Sequence, residues 1–140
     1  MNRQAAEALR VAPHQSRCVS DVAASLDEAA EHPAHAEPFV VYAGEAPIGF
    51  VMVADEVEGP DYLPQYLWKL LIDERHQRQG FGTATLDLVV ELFRARPRAD
   101  VLTTSAGQGD GSPLPFYERY GFERTGEVHG DEVVLQLRLP

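Results

Sequence analysis

Gly80 and Gly82 stand two residues apart between a run that reads as a strand and a run that reads as a helix, and no other feature constrains the chain as much. Tyr66 to Ile72 is apolar with aromatic and β-branched members, as a buried strand requires. From Gly80 to Phe93, Leu86, Val89, Val90 and Phe93 recur at the spacing of one helix face. The connecting residues Gln77, Arg78, Gln79, Gly80, Phe81, Gly82 and Thr83 form a turn that can aim several backbone N–H groups at one anion. Glycines allow close backbone approach and a helix N-terminus carries roughly half a positive charge, a combination that suits a pyrophosphate. In this reading the guanidiniums of Arg75 and Arg78 add charge-assisted contacts at the rim. An ordinary tight strand-to-helix turn has the same two glycines, so the spacing alone leaves that alternative open. A dinucleotide fingerprint is excluded because Thr85 stands where a third glycine is needed, and no Gly-Lys-Ser/Thr follows for a phosphate-binding P-loop.

Around this turn the chain alternates in character. Ala5, Ala8, Leu9 and Ala12 predict a helix over 2–12, ended by Pro13, and a second helix starts near Ser20 or Asp21 and runs through Leu26 and Ala30. Phe39 to Tyr42 and Ile48 to Ala54 read as a hairpin turning at Gly44 to Pro47, with a loop from Gly59 to Pro64 before the next strand. Asp100 to Ser105 is a short strand, a helix follows from about Ser112 to Tyr120 with Gly121 at its end, and Phe122 to Val128 and Glu132 to Leu139 form a closing hairpin. The 140 residues, 44% of them hydrophobic, predict one domain with one shared core over residues 1–140.

Composition narrows the function. No apolar run approaches the ~20 residues of a membrane span and no basic-then-apolar leader opens the chain, which predicts a soluble cytoplasmic protein. Cys18 is the one cysteine, so neither an intrachain disulfide nor a cysteine-ligated zinc site can form. His14, His32, His35, His76 and His129 lack metal-ligand spacing and read as surface residues; no metal is expected. The net charge of −10 opposes a phosphate backbone as partner and points to a small cationic molecule over a nucleic acid, while the same charge is equally what a surface needs simply to stay soluble.

With Gln77, Gly80 and Gly82 in place, the chain resembles the GCN5-related N-acetyltransferase superfamily, whose main motif is Gln or Arg, two residues, Gly, one residue, Gly or Ala. A second match, Phe116, Tyr117, Glu118, Arg119, Tyr120, Gly121, Phe122, looks like the family's downstream aromatic, Tyr, three residues, Gly, Phe signature. Leu67 to Asp73, with Thr125, Gly126, Glu127 ahead of Glu132, Val133, Val134, is most similar to the spermine/spermidine acetyltransferase-like branch. The resemblance implies an α/β (α+β) fold, a mixed and mostly antiparallel sheet flanked by about four helices. It implies acetyl-CoA as co-substrate, with residues 77 to 83 on its pyrophosphate and Leu70, Leu71 and Ile72 beside its pantetheine arm.

Three departures from the family pattern stand out. The family's first strand is missing or very short here, or the start is truncated. Asp110 replaces an Asn that commonly contacts the cofactor, while retaining a hydrogen-bond acceptor. Trp68 occupies a place where relatives can carry a Glu base.

Acetyl transfer needs a neutral amine, a stabilised oxyanion and a proton for the departing thiolate. Tyr117 is assigned the last role, because a phenol of pKa ~10 keeps its proton at neutral pH. A backbone N–H near Ile72 is assigned to the oxyanion, and Glu37, Asp55 and Glu56 are candidates to take the amine's proton. Direct transfer in a ternary complex to a primary amine of a polyamine or aminoglycoside-like acceptor is the leading expectation. The alternative is a non-catalytic acyl-CoA-binding module. Neither nucleic acid nor membrane is an expected partner, and a homodimer is left open.

Overall fold

A computed structural model describes residues 3–9, 22–31, 36–57, 63–96, 100–109 and 111–139. The described elements run α1 (Arg3–Glu7), α2 (Val22–Glu31), β1 (Ala36–Ala43), β2 (Ala46–Val57), β3 (Leu63–Ile72), a 3-10 turn (Glu74–His76), α3 (Phe81–Arg94), β4 (Val101–Gly107), α4 (Leu114–Tyr120), β5 (Glu123–His129) and β6 (Glu132–Arg138). Six strands form one sheet in the order β1-β2-β3-β4-β6-β5. Every neighbouring pair is antiparallel except β3 with β4. This is the mixed, mostly antiparallel architecture expected from the sequence, with a helix as the first described element.

Alternation along the strands sorts the core into two layers. On one face, Leu67, Leu102 and Leu135 meet Leu86, Val89 and Phe93 of α3 and Leu114 and Tyr117 of α4. On the other, Phe50, Met52 and Leu71 meet Ala6 and Leu9 of the N-terminal segment and Val22, Leu26 and Ala29 of α2. The first helix is shorter than its pattern predicts: Leu9 N–H bonds back to the Ala6 carbonyl, three residues away, tightening the chain just past Glu7. No described helix is long and apolar enough to cross a membrane.

The centre of the sheet is incomplete. In β2 and β3, Met52 faces Lys69 and Val53 faces Leu67, so Trp68 is an extra residue, a bulge. A bulge bends its strand and increases the local twist. Next to it, β3 keeps only two registered pairs with β4, Tyr66 with Thr103 and Leu67 with Thr104. Beyond them the two parallel strands part, and the wedge between them opens toward the turn that follows β3.

A candidate acyl-carrier cleft at the split in the sheet

The wedge leads into a cleft of about 430 Å³ between the end of β3, the N-terminus of α3 and the start of α4. Strand register decides what β3 offers it. Ile72 faces Gly49, and Asp73 N–H bonds to the Ile48 carbonyl at 2.8 Å, which makes Ile72 and Gly49 a non-hydrogen-bonded pair. The N–H and C=O of Ile72 therefore point away from β2, into the wedge, and two residues back those of Leu70 do the same. Ile72's carbonyl is already used, since it accepts a 2.9 Å hydrogen bond from Gln77 Nε2. What remains on this edge is the Ile72 N–H and both polar groups of Leu70.

The turn is shaped by particular residues. Buried Asp73 caps the 3-10 turn, accepting from Arg75 N–H at 3.2 Å and from Arg75 Nε at 2.7 Å. Arg75 is thus folded back onto Asp73 and is not among the cleft-lining residues, contrary to the expectation that it guards the rim. Arg78 does line the cleft and has a left-handed backbone with φ 64. Gly80, the residue before α3, is also left-handed with φ 82, a conformation that costs a side-chain-bearing residue ~1–2 kcal/mol.

Gly82 is required for a different reason. A Cβ there would lie 3.1 Å from Phe116 Cζ, so its lack of a side chain lets α3 and α4 close on each other across the cleft. The first bond of α3 runs from Ala84 N–H to the Gly80 carbonyl, which leaves the N–H groups of Phe81, Gly82 and Thr83 at the open helix end. With no acidic residue in that first turn, the positive end of a 14-residue helix faces the cleft uncompensated. These donors, with the Arg78 side chain, fit a pyrophosphate.

On the opposite wall, the helix carrying Tyr117 is fixed at both ends. Ser112 Oγ donates to the Gly107 carbonyl at the end of β4 and accepts from Leu114 N–H at 3.1 Å, tying the helix start to the strand. Gly121, with φ 129, closes the other end through bonds to the Tyr117 and Glu118 carbonyls. Between them Tyr117 packs its ring at 5.4 Å from Phe122 and is 4% exposed, yet it also lines the cleft. Burial pushes the phenol pKa well above its ordinary value, and a hydrogen bond with Thr104 only partly offsets this. Thr104 Oγ1 in turn donates to the Leu67 carbonyl at 2.9 Å, so the phenol is anchored at the point where the strands part.

Of the residues named from sequence, Leu70, Leu71, Ile72, Gln77, Arg78, Gly80, Phe81, Gly82, Thr83 and Tyr117 all line this one cleft. Gln79 is exposed and is not among the lining residues, and Asp110 lies outside the described residues. Gln77 serves the turn itself, holding it to the strand end. His76, expected at the surface, lines the cleft at 6.4 Å from the Phe81 ring.

Among the proposed bases, Glu37 is turned to Arg96, which donates to its two oxygens at 3.3 and 3.1 Å, and Glu37 does not reach the cleft. Asp55 and Glu56 lie on β2, but their side chains are outside the description. Sequence reasoning misses Thr104 and Ser112. Ser112 directly before Pro113-Leu114-Pro115 carries a helix-start signal that could have found it; Thr104 offers none, because its importance comes from what packs opposite.

A split mixed sheet with a glycine turn and an open helix end at its mouth suits a ligand that joins a pyrophosphate to a slender extended arm. The model of the acetyltransferase (GNAT) domain family matches residues 34–124, and the chain belongs to that family. No curated protein sequence matches the chain.

Among solved structures, the chain is similar to an acetyltransferase from Thermus thermophilus, with TM-score 0.66 at 21% identity over 85% of this chain and 73% of that one. A GNAT family acetyltransferase from Elizabethkingia anophelis with acetyl-CoA bound gives TM-score 0.64 at 16% identity, covering 81% of this chain and 82% of the other. The GphF GNAT-like decarboxylase in complex with isobutyryl-CoA gives TM-score 0.74 at 17% identity over 99% of this chain and 95% of that one. At these identities the likeness is one of fold.

Proposed function

We propose that the chain is an acetyl-CoA-dependent N-acetyltransferase that moves an acetyl group directly to a primary amine of a small cationic acceptor, polyamine or aminoglycoside-like. The observation that carries this reading is the phenol of Tyr117, kept protonated by burial and anchored through Thr104 at the vertex of a wedge whose other edge offers free backbone groups. Acetyl-CoA would supply a thioester. The N–H groups of Phe81, Gly82 and Thr83 and the Arg78 guanidinium hold the pyrophosphate, and the edge of Leu70 pairs with the extended arm.

The Ile72 N–H, aimed into the wedge, stabilises the oxyanion that forms as the amine adds. Tyr117 donates its proton to the departing sulfur. A net charge of −10 attracts a cationic acceptor, and the sequence resemblance to the spermine/spermidine acetyltransferase-like branch supports a polyamine.

Turnover is tested by following CoA release from acetyl-CoA across a panel of amines. We expect activity on spermidine-like amines that drops by about 100-fold in Tyr117→Phe. One observation favours a second reading, an acyl-CoA-binding module without acetyl transfer: Trp68 stands partly buried against the α2-side core, so its position supplies no carboxylate base. That reading predicts acetyl-CoA binding without turnover on any amine, and no effect of Tyr117→Phe.

A further inference from the structure

The two registered pairs at the vertex have a second side. Thr104 points toward α3 and α4 and holds Tyr117; its neighbour Ser105 points to the opposite face, where Tyr66 Oη lies 2.5 Å from Ser105 Oγ. The vertex therefore carries one hydroxyl pair on each face, Tyr117 with Thr104 and Tyr66 with Ser105, separated by the thickness of the sheet. Ser105 faces Val134 on β6, and Glu132, two residues before Val134, shares that face. Glu132 is exposed, and its charge acts on the Tyr66 phenol, which burial already makes harder to ionise.

We propose that Tyr66, Ser105 and Glu132 form the route by which the acceptor's ammonium loses its proton, on the face of the sheet opposite the cofactor. The inference rests on the acetyl-transfer reading and supplies the base that Glu37 does not provide. The ammonium meets the Tyr66 oxygen and gives it one proton, the phenol's own proton moves to Ser105, and Ser105 releases one through water to the Glu132 carboxylate. The neutral amine then adds to the thioester carbonyl and a C–N bond forms. The C–S bond breaks, sulfur takes the Tyr117 proton, and the proton lost by the new amide nitrogen restores the Tyr117 phenol. Glu132 passes its proton to solvent, so one proton leaves per turnover.

Among the described residues, the other charged groups that the sheet carries on this face are Lys69 on β3, 3.5 Å from Glu28 of α2, Arg138 on β6, and Glu123 and His129 on β5, opposite Gln136 and Glu132, with His129 3.7 Å from Glu127. β4 presents only Thr103 and Ser105 here, neither of which titrates in the working range.

The test compares wild type, Tyr66→Phe, Ser105→Ala and Glu132→Gln in amine acetylation from pH 6.5 to 10, with thermal stabilisation by acetyl-CoA as a separate readout. We expect unchanged stabilisation in all three variants. At neutral pH, kcat should fall by about 100-fold in Tyr66→Phe and Glu132→Gln and less in Ser105→Ala. The deficit of Glu132→Gln should shrink as pH nears the amine's own pKa of ~10, where the acceptor arrives neutral.

A merely structural role would lower activity by the same factor at every pH, and that result, or wild-type profiles in the variants, overturns the route. Wild type that is stabilised by acetyl-CoA but acetylates no amine also overturns it, leaving the cofactor site standing. Wild type that acetyl-CoA does not stabilise overturns the cofactor reading and this inference together.

Discussion

Gly80 and Gly82 look equivalent in the motif, yet the structure needs them for separate reasons, and substitutions should separate the two. Nothing lies within 4 Å of a Cβ at Gly80, so Gly80→Ala meets only backbone strain and should cost ~1–2 kcal/mol of stability. Gly82→Ala presses on the Phe116 ring, which lines the cleft, so thermal melts should show acetyl-CoA stabilising that variant less than it stabilises Gly80→Ala. Gly82→Asp adds a negative charge at the open helix end and should abolish the ligand shift.

Tyr117 makes a second residue-scale prediction. Its folded pKa lies above the ~10 of the unfolded chain, so its titration adds no pH dependence to stability near neutral pH. Above pH ~10 the unfolded chain ionises while the folded one does not, and stability falls by up to ~1.4 kcal/mol per pH unit. Tyr117→Phe should show a shallower alkaline fall in denaturant melts.

That Tyr117 and the two glycines gather at one cleft is legible in the sequence, because each sits in a motif with its own local chemistry. That Gln77 bonds to the Ile72 carbonyl is not, nor is the turning of Arg75 onto Asp73. Both depend on where a flexible side chain finds its partner in space.

Among elements, α4 shows most clearly how a short segment is placed. Seven residues are too few to hold a helix alone in water, so its direction comes from Ser112 at one end, Gly121 at the other and the Leu114 and Tyr117 side chains in the core. Ser112→Ala removes both the tie to β4 and the cap on Leu114 N–H. It should cost ~1 kcal/mol in chemical denaturation and lower turnover by displacing the phenol.

The same scale shows where sequence reading succeeds. The pattern predicts α3 from Gly80 to Phe93 and the helix spans Phe81–Arg94, because Leu86, Val89 and Phe93 mark one buried stripe. β3, expected from Tyr66, begins at Leu63 and extends through a stretch that Pro64 marks as loop. The bulge at Trp68 leaves no mark, since such a bulge needs neither glycine nor proline and is fixed only by the register against β2. Yet that bulge accompanies the parting of the sheet, so the most consequential local feature of the site is invisible until the strands are paired.

For the whole molecule, the cofactor reading makes a thermodynamic prediction independent of the chemistry. Acetyl-CoA at a hundred times its dissociation constant should stabilise the fold by about 2.7 kcal/mol, measurable as a rise in melting temperature. Mechanically, the sheet is two stiff leaves, β1-β2-β3 and β4-β6-β5, sewn together along a seam of two registered pairs. Each leaf ends at the wedge in a raw inner margin, a row of polar backbone groups of the kind that elsewhere recruits another strand.

The wedge narrows to nothing at Leu67 and Thr104, so only a slender extended chain can lie along that margin. Whatever fills it also braces the leaves against one another. Amide exchange at Leu70 and Ile72 should therefore slow when such a chain is bound, while the outer margins of the sheet at β1 and β5 keep their own pace.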